Sequence, residues 1–187
     1  MLFSKIFAAG AVMAASAMAA LTPAQIASNL KTITVQSQNL QVEAQSITIV
    51  NAPLIAIGQG PFPKIISGFT QIVTTATVTI NQWDGTAPIT ADADVQLVFS
   101  AFRTFVRVHQ ELLNILIGKA GILEQLPFVG PPVAAVLRQI ESVVDTIAID
   151  LINVLESVAK DLESDANSLG GTLDLCIQKY QGLGQGI

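Results

Sequence analysis

The chain contains few side chains whose type and spacing could perform chemistry. It has one histidine, His109, and one cysteine, Cys176, so it cannot build the usual His/Cys cluster that holds zinc. The sequence also lacks a G-x-S-x-G nucleophile elbow and a glycine-rich phosphate loop. We therefore predict a protein that is not an enzyme, with no catalytic residue, no metal site and no cofactor.

Three carboxylates between residues 141 and 150 are the remaining candidates for acid–base chemistry. Asp145 and Asp150 are five residues apart, so they diverge on a helix. Glu141 and Asp145 share a helix face, but Arg138 precedes Glu141 by three residues, which favours a surface ion pair.

His109 is a basic side chain at a position that the apolar pattern assigns to the core, between Val106 and Leu113. A core histidine is most often hydrogen-bonded to a carbonyl or hydroxyl group. The alternative is that His109 binds the polar head of a ligand, such as a carboxylate, inside an apolar cavity. Cys176 lies at helical spacing from Leu169 and Tyr180, which favours a small core residue, and the alternative is an intermolecular disulfide.

The helical pattern that positions these residues repeats along the whole chain. Four segments place mostly apolar residues at alternating spacings of three and four, and a fifth segment comes close to this spacing, which keeps the residues on one stripe of a helix. These segments start at Ile26, Phe62, Val95, Val133 and Val158. The spacing predicts an all-α fold, an antiparallel up-and-down bundle of about five helices.

Prolines and turn residues mark where these helices begin. Thr22-Pro23, Pro61, Thr90 with Asp92, and Pro131-Pro132 fit the first four starts. No proline or glycine separates Leu151 from Ser168, so the fourth and fifth segments form two helices or one bent helix.

Residues 31–83 are rich in Thr, Val and Ile, which also suits a strand. Apolar residues recur there every seven positions, however, and this favours a helix. The recurrence gives the first helix a second apolar stripe, Val35, Val42 and Ile49. The third helix has one too, in Val98, Phe105 and Leu112. Either these helices are buried on both sides, or the surplus surface lines a cavity or faces a hydrophobic partner.

Residues 1–19 are predicted to be a secretory signal peptide. Lys5 precedes an apolar run, and Ala17-Met18-Ala19 fits the small-x-small cleavage rule. Residues 20–187 are predicted to form a single helical-bundle domain that is secreted, extracellular or cell-wall associated. They contain no apolar run of about 18 residues, so we predict no transmembrane segment.

The composition and net charge limit the classes of partner that we expect the chain to bind. The chain is 51% hydrophobic and has a formal net charge of −5. An acidic chain lacks the basic face that neutralises phosphates, so no nucleic-acid partner is expected.

Two connecting segments, residues 51–60 and 119–130, are apolar although loops are normally polar. In an up-and-down bundle the first and third loops lie at the same end, so one end is predicted to be apolar. The surface or portal candidates there are Leu54, Ile57, Leu123 and Phe128. Either they fold back to fill the core, or they form a portal for an apolar ligand or a tip that meets a hydrophobic surface.

A family resemblance is carried by residues 105–121, FVRVHQELLNILIGKAG, and by residues 132–145, PVAAVLRQIESVVD. Both stretches resemble fungal hydrophobic surface-binding proteins, a group that includes cell-wall galactomannoproteins. The resemblance implies an all-helical domain that encloses a fatty acid in some members and adsorbs to hydrophobic solids in others. The chain departs from that group in having no long Ser/Thr-rich stalk and no N-x-S/T sequon.

These observations lead to one functional hypothesis and an alternative. The first is a non-enzymatic protein whose apolar interior binds long-chain lipids or fatty acids, and the alternative is a structural cell-wall or surface protein that adsorbs to hydrophobic surfaces. The sequence leaves the oligomeric state open. The candidate ligand-binding residues are Phe69, Val73, Phe99, Phe102, Val106, His109, Leu113, Ile140 and Val144.

Overall fold

The computed structural model describes residues 21–83, 85–124 and 126–183. Within these ranges the chain forms α-helices and short 3₁₀ turns and contains no strand. The helices are α1 (Pro23–Gln45), α2 (Ala52–Ala56), α3 (Pro61–Trp83), α4 (Asp92–Lys119), α5 (Gly130–Val154) and α6 (Ala159–Gln181). The all-α bundle of five long helices is thereby confirmed. The predicted signal peptide lies outside the described residues.

The helix starts follow local capping chemistry. Thr22 caps α1 in a reciprocal box with Gln25, and Pro23 occupies the first turn. Prolines also open α3 and occupy the first turn of α5. At the start of α4 the N-cap is Ala91, which makes no side-chain cap.

The boundary between the last two helices is resolved as a true break. α5 ends at Val154, a 3₁₀ turn occupies Glu156–Val158, and α6 then packs back against α5 as a hairpin. α6 continues over Gly170 and Gly171.

The five long helices close a ring in the order α1, α3, α5, α6, α4 and back to α1. Neighbours in the ring are therefore not always neighbours in the chain. α1 and α3 are antiparallel, joined by the Glu43–Lys64 ion pair. α1 and α4 run parallel, as do α4 and α6, where the hydroxyl group of Tyr180 donates to the carbonyl of Leu116 at 3.0 Å.

Burial matches the predicted stripes on most helices. Every predicted stripe residue of α1 and α4 is buried. The second stripe of α4 is buried as well, because α1 and α6 flank that helix. The second stripe of α1 (Val35, Val42 and Ile49) is exposed. On α3 the buried face is rotated, so that Ile65 and Ile72 are buried while their neighbours Ile66 and Val73 are half-buried.

Among the described residues, no helix combines the length and the apolar character needed to cross a bilayer.

Candidate functional site

An apolar groove of about 420 Å³ opens at one end of the ring. It lies between the amino-terminal ends of α3 and α5, and the two apolar loops complete its rim. We call it the pole groove. Its lining includes Ile55, Phe62, Ile66, Phe128, Val129 and Pro132. The volume lies within the range of about 300–1,000 Å³ typical of small-molecule sites.

Two local features bring the apolar loops to this end. The Lys119 ammonium donates to the carbonyl oxygens of Gln45 at 3.1 Å and Ile47 at 2.7 Å, which ties the end of α4 to the end of α1. Gly58 and Gly60 have φ values of +72° and +84°, a region that favours glycine, and they turn the chain from α2 into α3. The predicted meeting of the two loops is confirmed by the groove that they share.

Of the four predicted portal residues, three are exposed and one fills the core. Leu54, Ile57 and Phe128 are exposed in the two loops, and of these three Phe128 lines the pole groove. Leu123 is fully buried, because the 3₁₀ turn after α4 folds it onto the core, so it contributes nothing to the exposed surface.

His109 lies inside the ring and is fully buried. Its Nδ1 atom is 2.9 Å from the Ser37 Oγ atom, as expected for a core histidine bonded to a hydroxyl group. The imidazole packs edge-on against Phe69, with ring centroids 6.1 Å apart, and lies tilted against Phe105, with centroids 5.3 Å apart. Its Nε2 atom has no hydrogen-bond partner among the described residues.

The protonation state of His109 follows from this burial. Removal from water lowers the pKa of His109 from 6.5 to about 4, so the ring is neutral at neutral pH. The Ser37 hydroxyl donates to the carbonyl of Ile33 at 3.0 Å and therefore accepts from Nδ1–H. Nε2 is left as a bare acceptor in the core.

The other predicted ligand-binding residues lie around the same interior. Val73 is half-buried, and the rest are buried. Phe69 on α3 meets His109 on α4 although α3 and α4 are not ring neighbours, so these side chains reach the ring interior from opposite sides. None of the predicted ligand-binding residues lines the pole groove.

The remaining candidates for chemistry are inert or repositioned. Cys176 is buried, which raises the pKa of its thiol to about 12. No cluster of three metal-ligating side chains occurs within the described residues. The expected Arg138–Glu141 ion pair is not formed, since the described ion pairs are Lys64–Glu43 and Arg103–Asp165. Glu141 faces Asp174 on α6 instead, and the pKa of Glu141 is raised.

Only part of the lining of the pole groove could be predicted from the sequence. Phe62 was assigned to the core stripe and Pro132 to a helix start, while Ile55 was not singled out. The sequence signal that could have identified Ile55 and Pro132 was their position in or beside the two apolar loops.

The fold and this site define an all-α five-helix ring with an apolar groove at one end. The fold is similar to that of AFMP4P from Aspergillus fumigatus, whose crystal structure is of a complex with palmitic acid. The TM-score is 0.63 at 20% sequence identity, and the match covers 84% of this chain and 99% of that chain. The sequence matches no protein-family model and no curated protein.

Proposed function

We propose that the chain is a secreted, non-enzymatic protein that binds a long-chain fatty acid or another single-chain lipid. The observation that carries the proposal is the five-helix fold, which is similar to that of a protein crystallised with palmitic acid. The resemblance of residues 105–121 to fungal hydrophobic surface-binding proteins supports the same class of ligand.

The pole groove is the proposed entrance for the acyl chain. Phe62 lines the groove, and Phe69 lies two helical turns further along the same face of α3, next to His109. An acyl chain that follows this face moves from solvent to the ring interior. Each Å² of apolar ligand surface removed from water contributes about 25 cal/mol.

His109 supplies the proposed polar end of this path. Its Nε2 atom is an acceptor without a partner among the described residues, so it suits a hydroxyl or protonated carboxyl group that donates a hydrogen bond.

The direct test is to extract the protein from its native secretion with organic solvent and analyse the extract by mass spectrometry. We expect one long-chain lipid per chain. After lipid removal, palmitate should bind saturably, and an esterase assay on long-chain esters should show no turnover. A lipid-free extract combined with no palmitate binding would overturn the proposal.

Matched substitutions locate the entrance. Leu54→Asp at the rim is paired with Leu175→Asp on α6, since these leucines are 43% and 45% exposed. Phe128→Asp is likewise paired with Ile149→Asp on α5, where the exposures are 52% and 58%. We expect the rim variants to bind palmitate about tenfold more weakly and the distant variants to bind it normally.

A second function is favoured by where the exposed apolar side chains lie. Five large ones occupy the two loops of this end or the residues just before them, namely Ile49, Val50, Leu54, Ile57 and Phe128. Such a patch suits adsorption of a cell-wall or surface protein to a hydrophobic solid. A lipid-free protein that adsorbs to such a solid, and loses adsorption in Leu54→Asp and Phe128→Asp but not in the paired controls, would favour this function.

A further inference from the structure

A second cleft, of about 460 Å³, lies at the end of the ring opposite the pole groove. It is formed by the carboxyl-terminal ends of α3 and α5, the first turn of α1 and the loop after α3. We call it the polar cleft. Its polar lining residues are Asn81, Trp83, Thr86, Thr146, Asp150 and Asn153.

Two side chains of the polar cleft carry unsatisfied polar atoms. Trp83 is only 6% exposed, and its indole Nε1 has no hydrogen-bond partner among the described residues. The Oγ1 atom of Thr86 is also shielded from solvent and without a partner. Buried polar groups are normally paired, and leaving one unpaired is unfavourable. Both side chains line the polar cleft, so a molecule bound there lies beside two polar atoms that need a partner.

Asp150 defines the charge of the polar cleft. It is half-buried on α5, and it makes no ion pair with any described residue. None of the described residues that line the cleft is a lysine or an arginine. Burial raises the pKa of Asp150, which shows that its charge is poorly compensated. An anionic ligand would therefore meet a carboxylate without any cation to offset the repulsion.

The donors and acceptors select the ligand further. The indole N–H of Trp83 can only donate, and the ionised carboxylate of Asp150 can only accept. An ammonium group cannot accept from the indole, whereas a hydroxyl group both donates and accepts. Ile80 and Val154 add apolar surface that suits carbon-bound hydrogens.

We propose that the polar cleft binds a neutral polyhydroxylated molecule, such as a saccharide unit. The hydroxyl groups accept from Trp83 and donate to Asp150, and the side chains of Asn81 and Asn153 can do both. The wall of the cleft is already fixed, because the Ile89 amide donates to the Val154 carbonyl at 2.8 Å and anchors the loop to α5. This site is separate from the proposed lipid path.

Trp83 makes the test specific, because it is the only tryptophan in the chain. The full protein is titrated with glucose and with inositol while indole fluorescence is recorded, with choline as a cationic probe and acetate as an anionic probe. We expect a saturable change with the polyols alone. Calorimetry provides a second readout that does not depend on the fluorophore.

Substitutions then assign the contacts. Trp83→Phe keeps an aromatic ring but removes the N–H, and Asp150→Asn removes the charge at a half-buried position while keeping the size of the side chain. Each should weaken polyol binding about fivefold by calorimetry, whereas Asp145→Asn, an exposed change on the same helix, should leave it unchanged. Absence of saturable polyol binding to the folded protein would overturn the proposal and leave the unpaired atoms to water. Equal binding of choline or acetate would overturn it as well.

Discussion

The Nδ1 atom of His109 and the Oγ atom of Ser37 lie 2.9 Å apart inside the ring and join α4 to α1. The bond has a direction, because the Ser37 hydroxyl already donates to the Ile33 carbonyl and must accept from the imidazole. Removing one partner is therefore not equivalent to removing the other. The serine keeps a partner when the histidine is lost, whereas the histidine loses its partner when the serine is lost.

This asymmetry predicts the outcome of a double-mutant cycle. Ser37→Ala should lower the free energy of unfolding by about 1–2 kcal/mol, because a buried N–H is left unpaired. His109→Leu should leave that free energy unchanged or raise it by about 1 kcal/mol, since it also removes the unpaired Nε2. In the His109→Leu background, Ser37→Ala should have a much smaller effect. Urea denaturation measures all four proteins, and strictly additive effects would contradict the assigned bond.

The burial of His109 also predicts a pH dependence of stability. The pKa of His109 is about 4 in the folded chain against an ordinary 6.5, so the unfolded chain binds the proton more readily. Above pH 6.5 both states hold His109 neutral, and the free energy of unfolding has its full value. As the pH falls from 6.5 towards 4, protonation of His109 in the unfolded chain lowers that free energy by roughly 3 kcal/mol in total. Unfolding free energies measured across this range should decrease more for the original chain than for His109→Leu. Parallel pH profiles would show that His109 is not the group responsible.

Glu141 is predicted to change the stability with pH in the opposite direction to His109, because its charged form is unfavourable in the folded chain. Its pKa is raised by burial and by the nearby carboxylates of Asp174 and Asp145, so its charged form is disfavoured in the folded chain. At neutral pH the ionised side chain lowers the free energy of unfolding. This loss disappears as the pH falls through the pKa that Glu141 has in the folded chain. Glu141→Gln should raise the free energy of unfolding at neutral pH by about 0.5 kcal/mol, a small value because the group is largely solvated. The gain should vanish in acid, and a gain that is independent of pH would point to another cause.

Two glycines form a matched pair for stability. A Cβ atom at Gly130 would meet the backbone oxygen of Tyr180, where the start of α5 approaches the end of α6. Gly130→Ala should therefore lower the free energy of unfolding by about 1–3 kcal/mol. A Cβ atom at Gly118 in α4 meets open space, so Gly118→Ala should raise it by about 0.5–1 kcal/mol. Thermal unfolding of both variants checks the pair, and equal effects would contradict the close approach.

The helices could be predicted from the sequence because their signals are local. The alternating spacing identified the buried stripes of α1 and α4, and the prolines located the starts of α3 and α5. On α3 the same spacing correctly identified Phe62 and Phe69, but it chose Ile66 and Val73 where Ile65 and Ile72 are buried, since burial there depends on how α1 and α5 flank the helix. It also could not distinguish the exposed stripe of α1 from the buried second stripe of α4. That difference depends on the ring order, which places partners on two sides of α4.

The two ends of the ring differ in how well they could be predicted from the sequence. The apolar end was predictable because two loops have an unusual composition, and loops have to meet where helices turn. The polar cleft was not predictable, because its residues come from separate segments, such as Trp83 at the end of α3 and Asp150 within α5. Trp83 belongs to the apolar stripe that starts at Phe62, a pattern that assigned it to the core, and only the parallel packing of α3 and α5 brings it close to Asp150.

The ring order also determines when each helix can find its partners during synthesis. The more extensive interface of α1 is with α4, and the Ser37–His109 contact spans 72 residues of chain. A chain that emerges amino end first therefore exposes part of the α1 core face until α4 has been made. The α5–α6 hairpin, in contrast, closes through contacts that are local in sequence and form early. α1 therefore completes its core contacts only after about 70 further residues of chain have been synthesised.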